Sequence, residues 1–199
     1  MKKTLTATTL ALILSTASSS GLAQAPAGGP QRGPATPAMT LTTTAWQDGA
    51  IIPNKYTQAV AMPVSPALTW ANAPVGTQSF VLHFHDPDVS VAKSTNDQVH
   101  WLVWNIPATT TSFPEGMPAG PTLPDGSRQV SASGQVYRGP GAPGTGPHHH
   151  YTFEIYALDI KLDELQPGAS EQETRAKVMA AIQQHVLGKA VMFGLFRRP

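Results

Sequence analysis

The sequence predicts a single, mainly β domain with one helix near its end. Three apolar segments have the length and composition of strands, at residues 80–85, 99–106 and 151–158. The 19 prolines and 17 glycines interrupt most of the remaining chain and leave little room for long helices. With 199 residues, 41% of them hydrophobic, the chain can bury one substantial core.

The first residues predict export. Two lysines at positions 2 and 3 precede the apolar run 5–14, and small residues follow up to Ala25. This order is typical of a secretory signal peptide, and the apolar run is too short for a membrane anchor. We predict that residues 1–23 are removed by cleavage after Ala23, with cleavage after Ala25 as the alternative. The mature protein is then periplasmic or secreted, without a transmembrane anchor.

The folded domain is predicted to begin at residue 39. Residues 24–38 are rich in proline, glycine and alanine and carry one charge, so they predict a disordered leader. Residues 39–199 then form the domain.

The signal peptide contains two lysines and no acids, so its removal leaves 11 of the 13 basic residues against 12 acidic ones. This balance excludes the basic surface of a nucleic-acid-binding protein. The absence of cysteine excludes disulfides.

The first predicted strand carries different residues on its two faces, because side chains alternate along a strand. One face is apolar and consists of Phe80, Leu82 and Phe84. Asp86 continues this face and brings a carboxylate to the edge of the core. His83 and His85 lie on the opposite face.

The second predicted strand is a continuous apolar run, VHWLVWNI, which is typical of a central strand. By alternation His100 shares its face with Leu102, Trp104 and Ile106. A single histidine in an apolar strand is more often a buried core residue than a ligand, and both interpretations stay open.

Three consecutive histidines precede the third predicted strand. Alternation places His149 on the buried face, which continues through Tyr151, Phe153 and Ile155. His148 and His150 share the other face with Thr152 and Glu154, which is predicted to meet solvent. At most one of the three histidines therefore points to the interior.

The helix is predicted from a capping box, in which Ser170 is followed three residues later by Glu173. The apolar positions that follow have helical spacing and are Val178, Met179, Ile182 and Val186. Gly188 is predicted to end the helix. Residues 190–196 again have strand character.

Two further segments concentrate polar or turn-forming groups. Asp86-Pro87-Asp88 is a good turn former, and a structural turn is as well supported as a functional role. The loop 137–143 contains two glycines and two prolines, and its backbone N–H groups could face an anion. Each motif alone is weak.

Together, the segments resemble the phosphatidylethanolamine-binding protein family and are most similar to its bacterial Raf-kinase-inhibitor-like branch. The resemblance covers about residues 40–197. In chain order, the segments are Ser65-Pro66-Ala67-Leu68-Thr69-Trp70, Asp86-Pro87-Asp88, His100-Trp101, Asn105-Ile106-Pro107, Gly139-Pro140 and a His-x-Tyr that runs on to Tyr156-Ala157-Leu158-Asp159. The family's Gly-Pro-Cys-Pro-Pro is replaced by Gly-Pro-Gly-Ala-Pro at 139–143. Its Gly-Pro-His-Arg-Tyr is replaced by a proline and three histidines. Counting back from Tyr151, with strand alternation, assigns the pocket histidine to His149 rather than His148.

The resemblance implies an antiparallel β-fold of two packed sheets with a C-terminal helix and short helical turns. It also implies a small pocket that accepts an anionic or zwitterionic ligand such as phosphate or a phospholipid headgroup. The residues implied to bind it are Asp86, Asp88, His100, Gly139, Pro140, His149 and Tyr151. No catalytic residue, metal ligand or cofactor is predicted, and the protein is expected not to be an enzyme.

Two alternatives remain. Family members also inhibit kinases or proteases through surface contacts, and for an exported chain a protease is the expected target. A metal-dependent hydrolase is less favoured. It rests on His83 and His85, whose two-residue spacing on a strand permits chelation, but no Gly-x-Ser-x-Gly nucleophile motif accompanies them.

Overall fold

The computed structural model describes residues 37–199, which form two antiparallel sheets and one α-helix. The predicted signal peptide and most of the predicted leader lie outside the described residues. The elements in chain order are β1 (Thr40–Thr42), a 3₁₀ turn (Asn54–Tyr56), β2 (Leu68–Ala71), β3 (Ser79–Asp86), β4 (Gln98–Pro107), β5 (Ser112–Phe113), β6 (Arg128–Val130), β7 (His149–Leu158), α1 (Glu171–Ala181) and β8 (Val186–Phe196). The predicted mainly β fold with two antiparallel sheets and a C-terminal helix is confirmed.

The larger sheet has five strands in the order β6-β4-β3-β7-β8, and the smaller has three in the order β1-β2-β5. All neighbouring strands in both sheets are antiparallel. The three strands predicted from the sequence, β3, β4 and β7, are the three central strands of the larger sheet. Their continuous apolar character follows from this position, because a central strand covered on both faces exposes little of either.

The larger sheet is covered on both faces. One face packs against the smaller sheet through a core rich in aromatic side chains, and its members include Leu68, Trp70, Phe80, Leu82, Phe84, Phe113 and Phe153. The other face packs against α1 through Val81, Leu102, Trp104, Leu158, Val178 and Ile182. The face predicted to meet solvent is therefore partly covered: His83 is 2% exposed. The prediction underestimated this cover because a helix from a distant part of the chain supplies it.

Strand β4 departs from simple alternation at two places. Phe84 pairs with Trp101 and His85 pairs with Val99, so His100 is an extra residue without a direct partner on β3. Such a β-bulge rotates the side chains that follow it. Leu102 and Trp104 consequently face α1, whereas His100 lies against Phe84, with ring centroids 5.4 Å apart. The sequence-based assignment of His100 to the face of Leu102 and Trp104 was wrong.

The helix begins where it was predicted. The Ser170 side chain accepts a hydrogen bond from the N–H of Glu173 (3.1 Å), which satisfies one of the free donors of the first turn. The helix ends at Ala181, earlier than predicted, and Val186 and Gly188 belong to β8. Gln184 has a φ of 68°, a left-handed conformation that turns the chain out of the helix and into the strand.

The predicted leader is expected to be dispensable for stability. Its sequence offers almost no apolar surface to dock, and Ala38 is held by an exposed hydrogen bond from the Asn72 side chain (3.0 Å). A chain that starts at Met39 should melt within about 2 °C of one that starts at Gln24. Differential scanning calorimetry of both chains checks this expectation. A decrease of several degrees would show that residues before Met39 pack on the domain.

Within residues 37–199, no helix has the length and apolar content needed to cross a membrane.

Candidate functional site

A cavity of about 120 Å³ lies where β3, β4 and β7 meet the loop 139–143. Its lining residues are Gln58, Asp86, Val89, Gln98, His100, Arg138, Gly141, Ala142, Pro143, His149 and Tyr151. The volume equals a few water molecules at ~30 Å³ each, which suits a small polar group better than a whole lipid.

Asp86 and His149 form the hydrogen-bonded pair of this cavity. The Oδ2 atom of Asp86 lies 2.9 Å from the Nδ1 atom of His149, and Oδ1 accepts the N–H of Asp88 (3.1 Å). Asp86 is 2% exposed, so both carboxylate oxygens meet donors away from bulk water. The pairing orients the imidazole and leaves its Nε2 atom for a ligand.

The Tyr151 hydroxyl is hydrogen-bonded to two backbone N–H groups of the loop 139–143. Its hydroxyl oxygen accepts hydrogen bonds from the backbone of Gly141 (3.1 Å) and Ala142 (2.8 Å). The hypothesis that loop N–H groups face an anion is therefore wrong for these two. Burial and the nearby Asp86 carboxylate raise the pKa of Tyr151 far above its usual value. The phenol therefore keeps its proton, which can be donated to Asp86 or to a ligand.

His100 reaches the cavity because of the bulge in β4. Its ring lies edge-on to Tyr151, with centroids 5.1 Å apart, and its Nδ1 lies 3.0 Å from the carbonyl oxygen of Arg138. A carbonyl only accepts, so Nδ1 carries the proton and Nε2 presents a lone pair. Burial lowers the pKa of His100 to about 4, and the ring is neutral near pH 7.

Other implied site residues support the cavity from outside its lining. Asp88 Oδ2 accepts from the backbone N–H of His150 (2.6 Å) and lies 3.0 Å from its Nδ1, which fixes the start of β7. Burial alone would raise the pKa of Asp88, but the hydrogen bonds from His150 outweigh it and the pKa is lowered. His148 and His150 are both exposed.

Gly139 and Pro140 hold the loop through their backbones. The carbonyl oxygen of Gly139 accepts from the Gln58 side chain (2.7 Å), and that of Pro140 accepts from the Gln58 N–H (2.8 Å). A Cβ atom at Gly139 would lie 2.7 Å from the carbonyl oxygen of Tyr56, so only glycine fits there. These two residues shape the cavity without lining it.

Three polar lining residues were not predicted: Gln58, Gln98 and Arg138. Arg138 lies in the Tyr-Arg-Gly-Pro segment. Its positive charge next to the predicted anion-binding loop could have identified it as a site residue from the sequence. Its side chain donates to Ser133 Oγ (2.9 Å), and within residues 37–199 no carboxylate forms a salt bridge with it. Gln58 comes from a loop 81 residues before Gly139, and nothing local marks it.

Comparisons with known proteins agree with this architecture. Residues 42–197 match the family model "Phosphatidylethanolamine-binding protein". A UPF0098 protein of Methanothermobacter thermautotrophicus is 41% identical over 162 residues, which cover 80% of this chain and 99% of that protein. YbhB of Escherichia coli, also a UPF0098 protein, is 36% identical over 135 residues, covering 67% and 81%.

Among solved structures, Escherichia coli YbcL, described as a new member of the mammalian PEBP family, superposes with a TM-score of 0.67 at 25% identity. The superposition covers 82% of this chain and all of that one. The match to the family model includes every lining residue of the cavity and all strands of both sheets except the first two residues of β1. The chain therefore belongs to the phosphatidylethanolamine-binding protein family.

Proposed function

We propose that the protein binds a small oxyanion, free or as the headgroup of a larger molecule, in the cavity between Asp86 and Tyr151. The observation that carries this proposal is the convergence of several polar groups on about 120 Å³. These groups are the imidazoles of His100 and His149 and the Tyr151 hydroxyl, and Arg138 is a further lining residue, whose guanidinium donates to Ser133. Such a set recognises oxygen atoms that carry negative charge.

Arg138 supplies the charge that attracts the anion. Its positive charge lacks a carboxylate partner among the described residues, whereas Asp86 is already paired with His149. A ligand that also carries an ammonium group can place it near Asp86, so a zwitterion such as phosphoethanolamine would satisfy both signs. The phosphate group alone fills a cavity of this size, and the rest of a lipid would remain outside it.

The neutral state of His100 sets the proton balance of binding. An oxyanion without a proton cannot donate to the Nε2 lone pair, so His100 must take up a proton when such an anion contacts it. Because the pKa of His100 is about 4 in the free protein, this uptake becomes easier as the pH falls from 7 towards 5. Anion affinity should therefore rise over that interval.

We also propose that the protein is exported and that it binds its ligand without catalysing a reaction. Export is supported by the two lysines, the apolar run 5–14 and the small residues that follow. Binding without catalysis is supported by the site itself, in which no serine, cysteine or lysine is among the lining residues of the described cavity.

The experiment is calorimetric titration with methanesulfonate at pH 6, because a sulfonate does not titrate near neutral pH. His149→Ala should weaken binding about 10- to 100-fold, since a hydrogen bond to a charged group contributes about 1.5–3 kcal/mol. His100→Ala should have a smaller effect at pH 6 and a larger one at pH 5, because protonating a ring with a pKa of about 4 costs about 3 kcal/mol at pH 6. For the wild-type protein, the heat should depend on the ionisation enthalpy of the buffer, because binding takes up protons.

The exposed histidines are the matched controls. His148→Ala and His150→Ala remove the same side chain one position away from His149, and both should retain the wild-type affinity within about threefold. Loss of binding in His148→Ala with no effect in His149→Ala would place the ligand elsewhere. The proposal also fails if no heat is seen with methanesulfonate, phosphate or phosphoethanolamine at millimolar concentration.

A further inference from the structure

A second group of titratable side chains lies on the opposite face of the larger sheet, beneath α1. We call it the helix-side cluster, and its members are His83, His85, Asp97, Glu154, Tyr156, Arg175 and Lys189. None of them lines the oxyanion cavity. The cluster joins β3, β7 and β8 with α1 and the segment before β4.

His85 is oriented by a carboxylate. Its Nδ1 atom lies 2.6 Å from Asp97 Oδ2, and the guanidinium of Arg175 donates to the other oxygen of Asp97. Nδ1 therefore carries the proton, and the lone pair of the ring is on Nε2. Histidine ligands of metal ions are commonly held in this way, with one nitrogen on a carboxylate and the other on the metal.

His83 and Glu154 approach the free side of His85. Glu154 Oε2 lies 3.9 Å from His85 Nε2 and 3.8 Å from His83 Nδ1, too far for a hydrogen bond and suited to an atom between them. Nitrogens of both histidines and an oxygen of Asp97 also lie within 4.8 Å of one another. Two imidazoles and two carboxylates thus lie close together beneath α1, and the Oε2 atom of Glu154 already accepts a hydrogen bond from the Tyr156 hydroxyl.

Two buried nitrogens of the cluster lack hydrogen-bond partners among residues 37–199. They are the Nε2 atoms of His83 and His85, and the His83 side chain is only 3% exposed. An unsatisfied buried polar atom costs about 1–3 kcal/mol. A cation bound to the Nε2 lone pair of His85 would remove this cost at one of the two nitrogens.

We propose that His83, His85 and Glu154 form a site for a divalent transition-metal ion of the zinc class, with Asp97 as the positioning residue behind His85. Two imidazole nitrogens and one carboxylate oxygen are the ligand types that zinc prefers. Asp97 is not assigned as a ligand, because its Oδ2 atom lies on the Nδ1 side of His85, away from the Nε2 lone pair.

Two local rearrangements accompany coordination. The rings of His83 and His85 are stacked, with centroids 4.2 Å apart and planes 8° from parallel, so their lone pairs do not yet converge. His83 is the ring that turns, because its side chain makes no hydrogen bond with the described residues. The Tyr156 hydroxyl gives up its hydrogen bond to Oε2 of Glu154, whereas Lys189 stays on the other oxygen (2.5 Å).

The test uses the mature protein without an affinity tag, freed of metal with a chelator. Zinc is titrated in competition with a chromophoric chelator, and cobalt is added separately to record its visible absorption. We expect one equivalent of zinc, a cobalt spectrum typical of a four-coordinate nitrogen and oxygen site, and a higher melting temperature with zinc. His85→Gln and Glu154→Gln should each weaken zinc binding at least tenfold. Asp97→Asn should weaken it about 10- to 100-fold.

Controls separate this site from two others that could take up zinc. The double variant His148→Ala/His150→Ala removes the exposed histidines, and Asp88→Asn weakens the group Asp86, Asp88 and His149, whose donor atoms also lie within 4.8 Å of one another. Both control variants should still bind one equivalent of zinc. X-ray absorption of the wild-type zinc complex should show two imidazoles, which does not depend on any variant folding. The proposal is overturned if no equivalent binds, if the first shell lacks two imidazoles, or if either control abolishes uptake while His85→Gln does not.

Discussion

Replacing Phe84 with alanine is expected to lower the free energy of unfolding by about 3–5 kcal/mol, the usual cost of deleting a buried aromatic ring. Phe84 is fully buried and stacks on Phe153, with ring centroids 3.8 Å apart, and lies parallel to Tyr137 at 5.6 Å. Its ring also contacts His100, so the cavity left by alanine adjoins the oxyanion site. Urea unfolding monitored by tryptophan fluorescence measures the change.

The matched control for this prediction is Met62→Ala. Met62 is 85% exposed, and its truncation should change stability by no more than about 0.5 kcal/mol. Phe84→Leu, which retains much of the volume, should lie between the two. A loss below about 1 kcal/mol in Phe84→Ala would mean that the core around β3 collapses to fill the space.

Acidification is expected to destabilise the protein through His100. Its pKa is lowered from 6.5 to about 4 by burial, so between these pH values the unfolded chain binds a proton that the folded chain does not. Stability therefore falls as the pH falls from 6.5 to about 4, by on the order of 3 kcal/mol for a shift of this size. The measurement is the urea midpoint and slope at half-unit pH intervals, with a chelator present.

His100→Gln isolates this contribution, because glutamine can still donate to the Arg138 carbonyl but does not titrate. Between pH 6.5 and 4, the free energy of unfolding should fall by roughly 3 kcal/mol less in the variant than in the wild-type protein. Carboxylates with a lowered pKa, such as Asp97, also contribute to stability, but this contribution is lost only below the ordinary carboxyl pKa of about 4. If the free energy of unfolding changes equally with pH in the two proteins between pH 6.5 and 4, the burial of a neutral His100 is contradicted.

The local parts of the structure could be predicted from the sequence. Phe80, Leu82 and Phe84 alternate with other residues, so they had to share one face of a strand, and the same rule placed His149 beside Tyr151. Ser170 and Glu173 marked the start of α1 because an N-cap depends only on residues three apart. The family resemblance supplied the arrangement of the two sheets, which alternation alone does not contain.

Other parts of the site required the tertiary structure. The bulge at His100 arises from the register between β3 and β4, and a single strand carries no sign of it. The use of two loop N–H groups by Tyr151, and the placement of Gln58 against Gly139, depend on segments far apart in the chain. The end of α1 at Ala181 was equally unpredicted, because helical spacing continues beyond it.

The sequence by itself determined which residues form the central strands, where the helix begins, and that His149 rather than its neighbours turns inward. Each of these depends on spacing along one segment, and the backbone periods of 2 and 3.6 residues make that spacing informative. Only the tertiary structure decided that His83 and His85 are covered, and that Asp97 and Glu154 stand beside them. These contacts join distant segments, since His83 and Glu154 are 71 residues apart and Asp97 and Arg175 are 78 residues apart, and they are set by how α1 and β7 pack around β3. No local pattern records that packing.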